Sequence, residues 1–156
     1  MSEYVEFVKD FAKRTKENLD FIEKNHKNNN HQVYEFTQLV NSLLGLIVIP
    51  KEKEYRKIND SFVKTTTLEN LKNKIERDDY NNNSFKQILR RMRNAIAHAG
   101  IEIKPNENNN IINKIKFTDI NTTNTEDKGK IFIIELTHDD LRDFVEDFSC
   151  KLQEKL

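Results

Sequence analysis

The chain has 156 residues, enough for one domain with a hydrophobic core, and we expect a single domain over residues 1–156. Its formal net charge is zero with 33% charged residues, which excludes a protein that is basic over its whole surface and leaves only a local basic patch for any nucleic-acid site. The single cysteine excludes an internal disulfide, and the lack of a leader-like start or of an apolar run near ~20 residues predicts a cytoplasmic protein with no membrane contact.

The first half of the chain is predicted to be helical, because its apolar residues recur at steps of three and four. We expect one long helix over residues 4–22 and a second over 33–47, stopped by Pro50. A short third helix is expected over 68–75, and a fourth over 85–99, with Gly100 as the residue that ends it.

Three helix starts carry the residue pair of a capping box, in which a hydroxyl and a side chain three residues later satisfy each other's backbone donors. They precede the third, the fourth and the last predicted helix. The pairs are Thr66 with Glu69, Ser84 with Gln87, and Thr137 with Asp140.

The apolar spacing changes to an alternation of two in residues 114–118 and again in 132–136. The polar stretch 121–129 joins these segments, so a β-hairpin is predicted. The fold class expected from all these elements is mainly α, a helical bundle with a β-hairpin inserted before the C-terminal helix.

The fourth helix carries an unusual polar set near its end: Arg93, Asn94 and His98. At 100° per residue, Arg93 and His98 lie on opposite flanks of the buried stripe, about 140° apart, with Asn94 on the outward face between them. A straight isolated helix cannot easily aim both at one atom. Either the helix distorts near Gly100, or a second copy of the chain completes the site.

The segment Arg93-Asn94-Ala95-Ile96-Ala97-His98 resembles the Arg-polar-x-x-x-His motif of HEPN domains, where it also lies near the end of a late helix. The segments "LVNSLLGLIVIP" (39–50) and "INKIKFTD…FIIELTHDDLRDFVEDF" (112–148) are similar to HEPN nucleases of bacterial defence and plasmid toxin systems. Together these features touch most of the chain.

The resemblance implies a metal-independent endoribonuclease without a cofactor, acting on RNA as a homodimer with the two motifs facing each other. Arg93, Asn94 and His98 would be the catalytic residues. A histidine titrates near neutrality and serves as base or acid, while an arginine presents a permanent forked charge to phosphate oxygens. An antitoxin or a regulatory protein would be a further partner. HEPN toxins controlled by a nucleotidyltransferase carry a tyrosine two residues after the histidine, and here that position is Gly100, so this type of control gains no support.

The fourth helix also predicts a phosphate-binding surface. From Ser84 to Lys104 there are five Lys or Arg residues against one acid, and we assign RNA binding to Lys86, Arg90 and Arg91.

One interpretation competes with the enzyme. The polar set of the fourth helix is also compatible with a solvated helix flank whose terminal histidine suits the helix dipole. On that reading the chain is a non-catalytic HEPN-like module that dimerises or binds a partner protein.

The remaining histidines have no metal-ligand spacing, so no metal site is predicted.

Overall fold

Six α-helices and a four-stranded antiparallel sheet make up the described part of the chain, which in this computed structural model is residues 6–26, 35–105 and 112–156. The mainly α fold is confirmed. The helices are α1 (Phe7–His26), α2 (Glu35–Val48), α3 (Glu52–Tyr55), α4 (Thr65–Asn73), α5 (Phe85–Ala97) and α6 (His138–Lys155). The strands are β1 (Ile75–Asp78), β2 (Ile101–Pro105), β3 (Ile112–Ile120) and β4 (Ile131–Thr137).

The sheet is larger than the hairpin that the sequence predicts. Its strand order is β1-β4-β3-β2, and every neighbouring pair is antiparallel. The strands β3 and β4 correspond to the two alternating segments, but β1 and β2 were not expected, and Ile75 lies in β1 rather than at the end of the third helix. Both additional strands are short edge strands that mix charged and apolar residues, a composition that protects sheet edges and hides the strand signal.

One face of the sheet packs on the helices. Alternate residues of β4 are buried, as the period of two requires, and so are those of β3. Against this layer the rings of Phe144 and Phe148 on α6 meet Phe85 edge-on, with centroids 5.9 Å and 5.4 Å away. This aromatic cluster fixes the start of α5 against α6.

Only one of the three predicted capping boxes forms. At α6 the hydroxyl of Thr137 and the carboxylate of Asp140 cap each other's backbone groups, as predicted. Ser84 makes no side-chain cap, and the first N–H of α5 is instead bonded at 2.7 Å by the carboxylate of Asp60. The start of α4 likewise lacks a local cap, and Asp147 of α6 accepts the N–H of Lys64. The boxes predicted at Ser84 and Thr66 are therefore wrong, because carboxylates distant in sequence take over their role.

The opening helices agree with the apolar pattern within the described residues. The predicted starts of the first two helices, at residues 4 and 33, lie outside these residues. α2 ends at Val48, just before Pro50, and the one-turn helix α3 follows, which the sequence did not predict. Among the described residues, no helix is long and apolar enough to cross a membrane.

Candidate functional site

The helix α5 carries the motif, and its buried side is the predicted one. Five of its side chains are fully enclosed between the sheet and the other helices, and Ile96 is partly enclosed. The five are Phe85, Ile88, Leu89, Met92 and Ala95. The remaining flanks of α5 face α3 on one side and β3 on the other, and these neighbours decide where the motif residues point.

The C-terminal end of α5 is a Schellman motif with an alanine at the left-handed position. Ala99 has φ +56°, its N–H donates to the carbonyl of Ile96 at 3.3 Å, and the N–H of Gly100 donates to the carbonyl of Ala95 at 2.7 Å. The sequence predicted Gly100 as the helix-ending residue. That prediction is off by one, since Ala99 takes the left-handed conformation and is exposed instead of completing the buried stripe.

Gly100 is required for a different reason, its close approach to strand β3. The N–H of Thr118 donates to the carbonyl of Gly100 at 2.8 Å. A Cβ on residue 100 would lie 2.0 Å from the carbonyl oxygen of Thr118, a backbone atom that cannot move aside. The end of the motif helix is thus attached directly to the sheet.

Arg93 points towards the junction of α2 and α3. Its Nη1 donates to the carbonyl of Pro50 at 3.3 Å, and its guanidinium carbon lies 5.2 Å from the ring centre of Tyr55. Tyr55 is buried, and its hydroxyl finds no hydrogen-bond partner among the described residues. Burial raises the pKa of this hydroxyl far above its usual value, although the charges of Arg93 and Arg90 act in the opposite direction. The guanidinium of Arg93 therefore lies beside a neutral aromatic ring.

Asn94 points the other way, to a buried carboxylate on β3. Its Nδ2 donates to Oδ2 of Asp119 at 3.3 Å, and Nη1 of Arg91 donates to the same oxygen at 3.3 Å. Asp119 is almost fully enclosed, and the side chain of Arg91 is only 15% exposed. The sequence placed Asn94 on the outward face of the helix, but it is half-buried because β3 covers that flank.

Arg91 has a second partner inside the protein. Its guanidinium carbon lies 3.4 Å from the ring centre of the partly buried Tyr80, so the guanidinium stacks on this ring. With Asp119 and Tyr80 both in contact, the charge of Arg91 is balanced within the fold. The RNA contact predicted for Arg91 stays a prediction. For this contact to form, the guanidinium of Arg91 would have to bind a phosphate while it is also paired with Asp119.

His98 is the exposed residue of the motif. It follows the last helical residue of α5, and its backbone N–H donates to the carbonyl of Asn94 at 2.9 Å. Within residues 6–26, 35–105 and 112–156, no side chain makes a hydrogen bond or an ion pair with the imidazole. Over the same residues, no side-chain hydrogen bond joins Arg93, Asn94 and His98 to one another. Within one chain they lie in three different environments.

The other two predicted RNA-binding residues lie on the flank of Arg93. Nζ of Lys86 donates to the carbonyl of Arg56 at 3.2 Å, and Arg90 is exposed and near enough to Tyr55 to act on its pKa. Lys86, Arg90 and Arg93 are spaced by four and three residues, so they form one row along α5.

The sequence profile of one protein family, described as HEPN pEK499 p136, matches residues 1–155. The chain belongs to this HEPN family. No curated protein and no solved structure matches it.

In this HEPN domain, the sequence alone did not identify the residues that hold the motif in place. Asp119 carried a usable signal, because it continues the buried alternation of Ile115 and Phe117 with a charged residue, and a buried charge needs a partner. The contact of Arg93 with Pro50 is made by a backbone carbonyl, which no residue pattern reveals.

The described residues of this HEPN domain form no group of side chains that could hold a metal ion, at the motif or elsewhere. No three His, Cys, Asp or Glu side chains of that part of the chain group as ligands. A polar cleft between α4 and α6, lined by residues that include Asn70 and Asp147, contains none of the motif residues.

Proposed function

We propose that this HEPN domain is a metal-independent endoribonuclease that acts as a homodimer, with Arg93, Asn94 and His98 as its catalytic residues. One observation carries the proposal: in a HEPN-family chain, the complete Arg-Asn-x-x-x-His motif lies at the end of α5 with its histidine exposed to solvent. We infer a cytoplasmic role as a toxin or defence effector from the same resemblance.

The chemistry fits the residues. An RNA 2′-hydroxyl lies beside its own phosphate, so the substrate supplies an intramolecular nucleophile. His98 removes the proton from this hydroxyl or returns a proton to the leaving 5′-oxygen. Arg93 stabilises the extra negative charge on the phosphate oxygens. The products are a 2′,3′-cyclic phosphate and a 5′-hydroxyl, and DNA is not cleaved because it lacks the 2′-hydroxyl.

Asn94 fits a positioning role in this reaction. One of its two amide hydrogens is bonded to Asp119. The second hydrogen and the amide oxygen stay available for a phosphate or for the imidazole of His98. Asp119 thereby fixes the orientation of the amide.

A homodimer accounts for the separation of Arg93 from His98 within one chain. Ala97, His98 and Ala99 are exposed together at the end of α5, and the small size of the two alanines lets a second helix approach. In such a dimer His98 of one protomer works with Arg93 of its partner.

Incubation of RNA with the purified protein in EDTA tests the activity. The wild type should give fragments with cyclic phosphate ends, and His98→Ala should give none, while His138→Ala, a histidine of α6 outside the site, should cleave normally. Cleavage by both the wild type and His98→Ala would contradict the assignment.

Mixing two inactive variants tests the dimer. Arg93→Ala and His98→Ala protomers, mixed and re-equilibrated, should recover about a quarter of the wild-type rate if each site takes one residue from each protomer, since half of the dimers are mixed and each of those has one intact site. No recovery, with mixed dimers present by mass, would place the whole site within one chain.

The alternative is a non-catalytic module that dimerises or binds a partner protein. The contacts of Asn94 with Asp119 and of Arg93 with Pro50 support it, because both motif residues have structural partners. Expression in cells distinguishes the two functions. If the protein is an active toxin, the wild type slows growth and His98→Ala relieves this effect. If it is a non-catalytic module, the wild type and His98→Ala express equally well. An antitoxin or regulatory partner would be sought by co-purification with the His98→Ala variant.

A further inference from the structure

We propose that residues 51–57, here called the α3 arm, bind the single-stranded RNA that leads to the motif. This inference rests on the proposed function. It extends the RNA-binding surface beyond α5 to Lys51, Lys53, Arg56 and Lys57, four exposed basic residues that the sequence analysis did not assign.

The α3 arm is fixed along the same flank of α5 that carries Arg93. At one end the carbonyl of Pro50 accepts a hydrogen bond from Arg93, and at the other the carbonyl of Arg56 accepts one from Lys86, 3.2 Å away. Between them Tyr55 is buried beside the guanidinium of Arg93. The basic side chains of the arm therefore extend the row of basic residues on α5.

The combined surface concentrates positive charge in a protein whose net charge is zero. It has seven basic residues and only two acids, Glu52 and Glu54, within the arm and the α5 row. The basic residues are Lys51, Lys53, Arg56, Lys57, Lys86, Arg90 and Arg93. A surplus of this kind on one surface is what binds phosphates by releasing their counterions.

Much of this charge is available to a ligand. Among the described residues, Lys51, Lys57 and Arg90 have no ion-pair partner. Two pairs exist, and both are loose. Arg56 lies 3.6 Å from Glu52 and both side chains are exposed, whereas Lys53 lies 3.5 Å from Glu54, whose side chain is mostly buried. An exposed pair such as that of Arg56 is weak and exchanges easily for a phosphate oxygen.

A cleft next to the arm adds an aromatic residue to the charges. It lies between the arm, the start of α1 and Leu156. Four lysines and Phe7 line it together with two acids, and the charged residues are Lys9, Lys51, Lys53, Lys57, Glu6 and Glu54. The side chain of Phe7 is 48% exposed, and its ring centre lies 6.5 Å from that of Phe11. Lysines beside an exposed ring are the pattern that binds single-stranded nucleic acid by phosphate contacts and base stacking. An acidic protein partner would have no use for the ring.

Binding is measured in the His98→Ala background, so that the RNA stays intact. The probe is a labelled single-stranded oligoribonucleotide of mixed sequence, followed by fluorescence anisotropy over a range of salt concentrations. The variant Lys53→Gln/Arg56→Gln/Lys57→Gln should raise the Kd about tenfold or more at low salt and lower the salt slope by about 2, as expected for three lost phosphate contacts on a single strand.

The matched control removes three exposed lysines elsewhere, Lys13→Gln/Lys64→Gln/Lys128→Gln. It lowers the total charge equally and should leave the Kd within about twofold and the salt slope unchanged. Phe7→Ala should raise the Kd about fivefold or more without changing the salt slope, because stacking releases no counterions. In the active protein, the arm variant should raise KM and leave kcat unchanged.

The outcomes test the arm proposal and the proposed nuclease independently. If the arm variant binds RNA like the parent, or no more weakly than the control, the arm proposal is overturned, and a cleaving wild type still supports the nuclease. An acidic protein as the ligand of the arm would give this same result. If arm-dependent binding is found but the wild type does not cleave, the arm proposal holds and the proposed enzyme falls.

Discussion

Asn94 and Asp119 are joined by a hydrogen bond of 3.3 Å that connects the motif helix to the sheet, and Arg91 donates to the same carboxylate oxygen. One enclosed carboxylate thus orients the amide of the motif and balances an arginine that has little access to water. Removing its charge tests how much of the fold depends on it.

Asp119→Asn should lower the free energy of unfolding by about 2 kcal/mol or more, because it leaves the enclosed guanidinium of Arg91 without its counter-charge. Urea denaturation followed by circular dichroism measures the change. The control is Asp127→Asn, whose pair with Lys130 is exposed and should be worth less than about 1 kcal/mol. Equal effects of the two substitutions would contradict a structural role for Asp119.

Tyr55→Phe should leave the stability unchanged or raise it by about 0.5–1 kcal/mol. The hydroxyl is buried without a hydrogen-bond partner among the described residues, so its removal ends a desolvation cost while the ring beside Arg93 remains. Thermal and urea unfolding measure this. Tyr80→Phe is the comparison, since its hydroxyl has the carbonyl of Lys130 as an acceptor at 3.4 Å. A loss of more than 1 kcal/mol in Tyr55→Phe would show that the hydroxyl has a partner.

Gly100→Ala should destabilise the protein severely, by about 3 kcal/mol or more, and should abolish the proposed cleavage. The added Cβ would meet the carbonyl oxygen of Thr118 at 2.0 Å, and separating the two would move the end of α5 from β3. Gly129→Ala provides the control. Gly129 has φ +83° but open space around it, so only the backbone conformation is penalised, by about 1–2 kcal/mol. The prediction fails if Gly100→Ala is no worse than Gly129→Ala.

Ala99→Gly should stabilise the protein by about 0.5 kcal/mol. Glycine relieves the left-handed conformation at φ +56°, and its greater freedom in the unfolded chain cancels part of this gain. The midpoint of urea unfolding at constant m-value is the measurement. Ala97→Gly, two residues earlier and still helical, should instead cost up to about 1 kcal/mol. The same sign for both variants would show that residue 99 is not left-handed in solution.

The cap of α6 should contribute stability that depends on pH. Burial acts to raise the pKa of Asp140, but hydrogen bonds from Asn70, Thr137 and Lys74 outweigh it and hold the pKa below its usual value. A carboxyl with a lowered pKa stabilises the folded state above its unfolded pKa, about 3.9, and this contribution is lost as the pH falls through the folded value.

Asp140→Asn should therefore be less stable than the wild type at neutral pH, and the difference should shrink below about pH 4. Urea unfolding between pH 7 and about pH 3 follows the difference. Glu126→Gln, in the exposed loop between β3 and β4, is the control and should show a small difference throughout. A difference that grows as the pH falls would contradict the lowered pKa of Asp140.

Features of the fold that depend on neighbouring residues could be predicted from the sequence. The buried stripe of α5 and the cap at Thr137 depend on spacings of three to four residues, and both agree with the structure. The caps at α4 and α5 could not be predicted, because Asp147 and Asp60 approach from 83 and 25 residues away. The edge strands β1 and β2 were missed because their charged residues conceal the alternation.

The candidate site, like the fold, could be predicted only where it depends on residues close in sequence. The motif could be read directly, because it is local and its residue types suit phosphate chemistry. The directions of its side chains could not, since they follow from what covers each flank of α5: β3 beside Asn94, and the backbone of Pro50 beside Arg93. The helix end shows the limit most clearly, because Gly100 looks like a stop signal and its role is contact with Thr118.

Because α5 is attached to two consecutive residues of β3, the strands limit how far this domain can be shortened. Gly100 is bonded to Thr118, and Asn94 to Asp119. A shortened protein that kept all six helices and replaced the sheet by a linker would retain every residue of the motif and lose the support that orients Asn94 and ends α5. The smallest autonomous unit that can carry this motif therefore includes the strands, and grafting the motif onto another helical bundle would require β3 to be transferred with it.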